Sequence, residues 1–257
     1  MIIWLASYPK SGNTWLRFFI LSLISKDNDN LKLTSLDKID QFPRRHHYDK
    51  LNILDLDLKN LNKISNYWLD SQIKINSDNK IRFFKTHNSF CKIDNNIFTD
   101  ETNTLGTIYI VRDPRNVITS IKNHFHHNTI EQSRDFLFDE NKGIFNKSKI
   151  KENSNYALPQ VIGSWKTHYK SWKSMKKNYL LIKYENLVND PINEFKKISN
   201  YLEVFLNMKF SDELIKRAIK LSSFERLKKI EEFEGFSESP LNLKTNKREK
   251  FFNLGPK

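Results

Sequence analysis

Short apolar runs recur along the chain, and between them apolar residues return every three or four positions. Continuous apolar or β-branched runs are typical of strands buried on both faces of a sheet. Each run ends in a polar loop that contains turn-forming or charged residues. The predicted strands are residues 2–6, 81–86, 107–111 and 179–184.

The segments between the predicted strands have the apolar spacing of amphipathic helices. Proline opens several of them, in the first turn, where its missing N–H costs no helical hydrogen bond. Because strands alternate with helices, we expect an α/β protein with three layers, α/β/α, and a central parallel sheet. The predicted helices begin at Asn13 and Pro114, occupy residues 58–75 and 159–176, and begin again at Pro191 and at Ser211 or Asp212.

The length of the chain bears on its number of domains, and its charge bears on the partners that it can bind. A length of 257 residues fits one larger α/β domain, so we expect residues 1–257 to form a single domain. The chain has 43 Lys and Arg against 30 Asp and Glu, which gives a formal net charge of +13. Such an excess indicates anionic partners, namely nucleotides, nucleic acid, acidic membranes or glycans. A solvated basic surface has the same composition, so charge alone does not choose among them.

Cysteine content and hydropathy bear on the compartment. The single cysteine, Cys91, excludes an intramolecular disulfide and a cysteine-based zinc site. The apolar run at the N-terminus is too short for a signal peptide and meets Lys10 early. No stretch reaches the length of a membrane span. We therefore expect a soluble, cytoplasmic protein.

The first candidate motif, residues 7–15, joins a predicted strand to the start of a predicted helix. Free backbone N–H groups at such a junction point at an anion, and the helix dipole favours negative charge. Gly12 lets the backbone approach a phosphate, Lys10 supplies a positive charge, and Ser11 and Thr14 supply hydroxyl donors. We predict a phosphate loop, although the Gly-Lys-Ser/Thr pattern of nucleotide triphosphatases is absent.

The second candidate motif, residues 109–120, again runs from a strand into a helix. Arg112 ends the strand, at the edge where open α/β sheets bind ligands. Ser120 lies in the following helix, so that its hydroxyl and the guanidinium can converge on one phosphate. The alternative is an ordinary strand-end arginine paired with Asp113.

The third candidate motif is the strand end Phe84-Lys85-Thr86-His87. Histidine is the usual general base near neutral pH. Since His87 ends a strand on the predicted ligand side, we expect it to be catalytic, the alternative being a structural histidine. Residues 124–127 contain three histidines without the carboxylates of a metal site, and we expect them to form a solvated or acceptor-facing cluster. The basic loop 42–47 suits contact with an acidic acceptor, but we expect it to be a surface feature.

The run Tyr8-Pro9-Lys10-Ser11-Gly12-Asn13-Thr14-Trp15-Leu16 resembles the 5′-phosphosulfate-binding motif of sulfotransferases that use 3′-phosphoadenosine 5′-phosphosulfate (PAPS). The family commonly has Thr where Asn13 stands. The resemblance implies that residues 10–14 hold the 5′-phosphate and sulfate, that Trp15 packs near adenine, and that Lys10 stabilises charge on the leaving oxygen.

The remaining motifs extend this resemblance over nearly the whole chain, in the family's order. It implies that Arg112 and Ser120 contact the 3′-phosphate and that His87 deprotonates the acceptor. Tyr184 and the pair Ser223-Phe224 match weaker family segments near the nucleotide. The implied catalytic residues are Lys10 and His87, and the implied nucleotide-binding residues are Lys10, Ser11, Gly12, Asn13, Thr14, Trp15, Arg112, Ser120, Tyr184, Ser223 and Phe224.

The resemblance also implies a fold related to nucleotide kinases and an activity that moves a sulfuryl group from PAPS to a hydroxyl or amine acceptor. We expect no metal, since Lys, Arg and backbone amides supply the positive charge, and no nucleic-acid partner. Acceptor contacts are expected from residues 26–80 and 125–155. Two other functions remain open: a nucleotide or small-molecule kinase of related fold, and a non-enzymatic basic protein that binds nucleic acid or glycan.

The last residues depart from the family pattern. Sulfotransferases usually have an Arg-Lys-Gly segment that closes over the 3′-phosphate, and here the counterpart, residues 251–255, keeps only the Gly. We expect either that the sequence is truncated or that its clamp is built differently. Lys247, Arg248 and Lys250 are the candidate replacements for the missing cations.

Overall fold

A computed structural model describes residues 1–25, 31–145, 155–242, 245, 247–253 and 255 of the chain. The parts of the expected acceptor-contacting stretches at 26–30 and 146–154 lie outside the described residues. So does position 254 of the C-terminal motif.

The main sheet has five strands: β1 (Ile2–Ser7), β2 (Asp40–Gln41), β3 (Arg82–Thr86), β6 (Thr104–Val111) and β9 (Tyr179–Lys183). Their order is β2-β3-β1-β6-β9, and β2, β3 and β1 pair in parallel. Every residue of β1 is buried, as its continuous apolar run predicts for a central parallel strand. The prediction of an α/β fold with a central parallel sheet flanked by helices is confirmed.

Short paired strands lie outside this sheet. They are β4 (Lys92–Ile93) with β5 (Asn96–Ile97), β7 (Gly143–Ile144) with β8 (Gln160–Val161), and β10 (Leu241–Asn242) with β11 (Lys247–Arg248). The prediction of a helix from residue 159 is wrong. Residues 160 and 161 pair with residues 143 and 144 instead, and the helix begins only at Trp165, after its N-cap Ser164.

Eleven α-helices and one 3₁₀-helix (Leu33–Lys38) are described. The predicted helix over 58–75 is two helices, because the chain turns at Asn66 and Tyr67. Within the described part of the chain, every helix falls short of the length and apolarity that a bilayer crossing requires. The α-helices are α1 (Asn13–Ile24), α2 (Arg45–Asp49), α3 (Leu61–Ser65), α4 (Trp68–Asn76), α5 (Pro114–His124), α6 (Ile130–Phe138), α7 (Trp165–Lys173), α8 (Tyr184–Asn189), α9 (Pro191–Leu206), α10 (Asp212–Leu221) and α11 (Phe224–Glu234).

The chain forms two compact units. The first comprises Met1–Tyr8, Ile39–Tyr109 and Asp135–Leu181, and the second comprises Pro9–Lys38, Ile110–Arg134 and Ile182–Lys257. In the first unit, buried aromatic rings surround Trp4, with Phe42 at 5.5 Å and Phe98 at 5.3 Å between ring centroids. In the second unit, Phe19 of α1 stacks on Phe195 of α9 at 4.0 Å. Aromatic burial of this kind stabilises each core with few positions.

Candidate functional site

The loop before α1 belongs to the second unit and is shaped by two left-handed residues. Lys10 has a φ of 68°, and Gly12, the N-cap of α1, has a φ of 104°. A Cβ placed on Gly12 would lie 2.6 Å from Cδ2 of Tyr184 and 3.0 Å from Cδ1 of Ile110. Only glycine fits both this conformation and this space. A left-handed lysine is uncommon, and such strain is concentrated at functional sites.

The start of α1 has the character of an anion site. Among the described residues no side chain caps this helix at Gly12. The hydroxyl of Ser11 is fully buried and has no hydrogen-bond partner among the described residues. An orphaned buried donor beside a helix N-terminus is what a bound phosphate would satisfy.

A carboxylate of the same unit reaches the first turn of α1. The Thr14 hydroxyl donates to Glu238 at 3.3 Å, and Arg17 donates to both Glu238 oxygens at 2.8 Å. Arg17 also donates to the Thr14 hydroxyl oxygen at 3.2 Å. The hydroxyl proton of Thr14 therefore points away from Arg17 and towards a carboxylate oxygen of Glu238.

Lys10 and Arg112, from two separate motifs, meet in this unit. Arg112 donates through Nη1 to the carbonyl oxygen of Lys10 at 3.3 Å. Its guanidinium lies 4.3 Å above the ring of Tyr184, whose hydroxyl pKa is raised by burial. Asp113, the alternative partner of Arg112, instead caps α5 and pairs with Arg115 at 2.5 Å. Three predicted site residues, Lys10, Arg112 and Tyr184, are thus in contact at this loop.

The Lys10 ammonium faces a ring and an imidazole. It lies 3.8 Å from the centroid of Phe251 and 3.5 Å from Nδ1 of His124, the last residue of α5. The cation–π contact holds the side chain in place without neutralising its charge. Lys10 therefore presents a positive charge at the loop.

Trp15, Ser120, Ser223 and Phe224 also fall in the second unit. Trp15 packs edge-on to Tyr184 with ring centroids 5.8 Å apart, and its indole N–H is buried without a partner among the described residues. Ser120 is half-buried in α5. Ser223 is the N-cap of α11, which Phe224 begins, so this weaker match is also an ordinary helix start. A Cβ on Gly255 would lie 3.2 Å from the Phe224 ring, so the C-terminal segment packs against it.

A buried glutamate that sequence reasoning missed holds the C-terminal segment. Glu231 of α11 accepts the backbone N–H of Phe251 at 2.7 Å and of Phe252 at 2.9 Å, and the hydroxyl of Ser239 at 2.5 Å. These three donors occupy three of the roughly four acceptor positions of a carboxylate. Glu231 fixes the segment whose Phe251 ring covers Lys10.

Two of the three candidate replacement cations are engaged in the second unit. Lys250 pairs with Glu232 at 2.8 Å, and Arg248 donates to the carbonyl oxygens of Ser237 and Ser239 at 3.1 and 2.8 Å. Lys247 is exposed in β11. These contacts make Arg248 and Lys250 structural supports of the segment as they stand.

His87 belongs to the first unit, directly after β3, and its ring orientation is fixed. Nδ1 lies 2.8 Å from the carbonyl oxygen of Ser7 and 3.3 Å from the Ser7 hydroxyl. Because a carbonyl oxygen only accepts, Nδ1 carries the proton and Nε2 carries the lone pair. That tautomer is the one a general base requires.

The main chain of His87 is held as well. Its N–H donates to the side-chain oxygen of Gln160 at 3.0 Å, and its carbonyl oxygen accepts from Nε2 of His168 at 3.1 Å. His168 is fully buried in α7 and also contacts the Tyr109 hydroxyl at 2.8 Å through Nδ1. Sequence reasoning missed Gln160 and His168, since only non-local contacts connect them with His87.

One cluster of metal-binding residue types occurs among the described residues, namely Asp40, His46 and His47. His47 accepts the backbone N–H of Arg44 at Nδ1, so its Nε2–H donates to Asp40 at 3.0 Å. A metal would need a lone pair at that Nε2. Burial opposes ionisation of Asp40, but hydrogen bonds from both histidines hold the pKa of its carboxyl well below its usual range. The cluster is a hydrogen-bonded network, and His47 is buried rather than on the surface as predicted for the loop.

The sulfotransferase domain family model matches residues 2–255. Flavonol 3-sulfotransferase of Flaveria bidentis is 27% identical over 233 residues, covering 89% of this chain and 65% of the relative. Sulfotransferase 2A1 of Rattus norvegicus is 27% identical over 226 residues, covering 87% of this chain and 66% of the relative. The chain thus spans about two thirds of the length of these curated relatives.

Solved structures share the fold. The crystal structure of mouse sulfotransferase SULT7A1 complexed with PAP superposes with a TM-score of 0.53 at 23% identity, covering 88% of this chain and 65% of that chain. Retinol dehydratase, solved with androsterone and inactive cofactor PAP, gives a TM-score of 0.52 at 18% identity, covering 92% and 69%. At these identities the likeness establishes the fold alone.

Proposed function

Since the chain belongs to the sulfotransferase domain family, we propose that it transfers a sulfuryl group from PAPS to a hydroxyl or amine acceptor. The observation that carries the proposal is the buried Ser11 hydroxyl, which has no partner in the described part of the chain and lies just before α1, in the loop where Arg112 meets Lys10. The mouse relative was solved with PAP, and we carry that ligand class to this chain. We also propose that residues 1–257 act as one sulfotransferase domain, located in the cytoplasm like the relative named cytosolic sulfotransferase 16 of Arabidopsis thaliana.

The residues of the second unit fit the nucleotide. The N–H groups of the first turn of α1 and the Ser11 hydroxyl would hold the 5′-phosphosulfate. Thr14 would join them by turning its hydroxyl from Glu238 to the ligand. Arg112 and Ser120 would hold the 3′-phosphate. The adenine would lie among the residues near Tyr184, and the full proposed set is Lys10, Ser11, Gly12, Asn13, Thr14, Trp15, Arg112, Ser120, Tyr184, Ser223 and Phe224.

The chemistry divides between two side chains. PAPS supplies a sulfuryl group attached to a phosphate leaving group. The Nε2 lone pair of His87 takes the proton of the acceptor hydroxyl or amine, while Ser7 keeps the opposite nitrogen protonated. The Lys10 ammonium stabilises negative charge on the leaving phosphate oxygen. We propose that His87 and Lys10 carry out these two steps without a metal ion.

Nucleotide preference tests the proposal directly. We expect 3′,5′-bisphosphoadenosine to bind at least tenfold more tightly than AMP, because each charge-assisted hydrogen bond to a second phosphate contributes about 1.5–3 kcal/mol. We also expect no hydrolysis of ATP with magnesium. Isothermal titration calorimetry measures both affinities, and Ser120→Ala should narrow the gap. Equal affinity for AMP and the bisphosphate would contradict the two-phosphate site, and magnesium-dependent hydrolysis would favour a kinase-like enzyme.

The C-terminal cations give a second test. We expect Lys247→Ala, Arg248→Ala and Lys250→Ala together to weaken bisphosphoadenosine binding, with a smaller effect on AMP. Lys247→Ala alone tests for a direct contact with the 3′-phosphate, because it leaves in place the contacts by which Arg248 and Lys250 support the C-terminal segment. The matched control replaces three exposed lysines of α7, Lys166, Lys170 and Lys173, and removes the same charge. An equal loss in that control would attribute the effect to net charge alone.

A further inference from the structure

Two ring N–H groups of α7 brace the chain segment that follows β3. His168 donates from Nε2 to the carbonyl oxygen of His87 at 3.1 Å, and Trp172 donates from Nε1 to the carbonyl oxygen of Asn88 at 2.9 Å. Residues four apart lie one above the other on a helix face, so one face of α7 serves two consecutive carbonyls. Both side chains are fully buried.

The polarity of the His168 contacts is determined by its partners. A carbonyl oxygen only accepts, so Nε2 of His168 must carry the proton. Its Nδ1 then accepts from the Tyr109 hydroxyl at 2.8 Å. Burial lowers the pKa of His168 to about 3, so the ring stays neutral near neutral pH, and burial also holds the Tyr109 hydroxyl protonated by raising its pKa. The hydrogen bonds therefore run in one direction, from the Tyr109 hydroxyl to His168 and from His168 to the His87 carbonyl oxygen.

We propose that His168 is a positioning residue for His87, fixing the peptide unit of the proposed base so that its Nε2 lone pair faces the acceptor. The inference rests on the proposed role of His87 as base. Ser7 fixes the ring of His87, Gln160 accepts its N–H, and His168 donates to its carbonyl oxygen. The other end of this peptide unit is held by Asn88, whose N–H donates to Thr86 Oγ1 at 3.0 Å. Loss of the His168 donor therefore leaves a held peptide unit with one of its carbonyl contacts missing, and we expect a small tilt that weakens the bond from Nδ1 to Ser7.

A matched pair of amides tests the proposal. The side-chain amide of His168→Gln reaches the position of Nε2 and keeps a donor for the His87 carbonyl. His168→Asn places its amide at the position of Nδ1, where it serves Tyr109 but does not reach His87. We expect kcat of His168→Asn to fall about 10- to 100-fold at nearly constant KM, and His168→Gln to recover most of it. The assay uses PAPS with whichever acceptor the wild-type chain sulfates from a panel of alcohols, phenols, saccharides and amines.

A readout independent of turnover is the tautomer of His87, measured by ¹⁵N NMR of its ring nitrogens. We expect the Nδ1–H tautomer in wild type and in His168→Gln, and a mixture of tautomers in His168→Asn. If His168→Asn does not fold, Tyr109→Phe, which removes one hydroxyl, should give a smaller change of the same kind. Equal behaviour of the Gln and Asn variants, or an unchanged tautomer in Tyr109→Phe, would overturn the positioning role. If the His87 tautomers follow this prediction but the wild-type chain transfers no sulfuryl group to any acceptor, the proposed function would be overturned. The effect of His168 on the orientation of His87 would still stand.

Discussion

His87→Ala is expected to lower the rate of sulfuryl transfer by about 10²–10⁴-fold, the range for loss of a general base, with bisphosphoadenosine affinity nearly unchanged. The separation of the two effects has a structural reason. His87 is held in the first unit by Ser7, Gln160 and His168, whereas the loop residues proposed to bind the nucleotide belong to the second. Turnover with a competent acceptor and calorimetry of the bisphosphate measure the two effects separately.

The control for this variant is another histidine with a fixed ring. His127 contacts the Ser133 hydroxyl at 2.9 Å and lies in the stretch expected to contact the acceptor, so His127→Ala should change the KM for the acceptor at most and leave kcat near normal. Near-normal turnover in His87→Ala would assign the base elsewhere. His124 would then be tested first, because its Nδ1 lies 3.5 Å from the Lys10 ammonium, and His126 next.

The parts of the fold that could be predicted are those encoded locally. The run of apolar residues in β1 and the β-branched run in β6 each specify a buried strand of the main sheet, and both were predicted. The two-residue strand β2, Asp40–Gln41, was not, because its residues are polar and its only signal is pairing with β3. The helix prediction from residue 159 failed for the same reason, since Gln160 and Val161 pair with a distant strand.

The candidate site divides in the same way. The loop around Gly12 was predicted from a short contiguous motif, and its left-handed φ follows from that glycine. The residues that hold the site, Gln160, His168 and Glu231, lie far along the sequence from what they contact. Each of them is an ordinary polar residue in its own helix or strand. Only the tertiary structure shows that they hold His87 and the C-terminal segment in place.

Gly12→Ala is expected to reduce bisphosphoadenosine affinity by about 100-fold or more. The φ of 104° is one that side chains with a Cβ rarely adopt, and the added methyl would lie 2.6 Å from Cδ2 of Tyr184. Relief of this overlap moves either the loop or Tyr184, and the Arg112 guanidinium rests on that ring. The change therefore disturbs both proposed phosphate sites at once, and calorimetry should show a larger loss than Ser120→Ala produces.

Gly163→Ala is the matched control for the backbone strain. Its φ is +59°, also left-handed, but the nearest atom to an added Cβ is 3.4 Å away, an ordinary contact. It belongs to the first unit, away in the chain from the phosphate loop. We expect it to lower thermal stability modestly and to leave bisphosphoadenosine affinity within about twofold, since a left-handed Ala costs about 1–2 kcal/mol of folding free energy. If Gly12→Ala also bound the bisphosphate normally, the close approach of Tyr184 to the loop would not control the nucleotide site, and the loop residues would lose their proposed role in holding the 5′-phosphate.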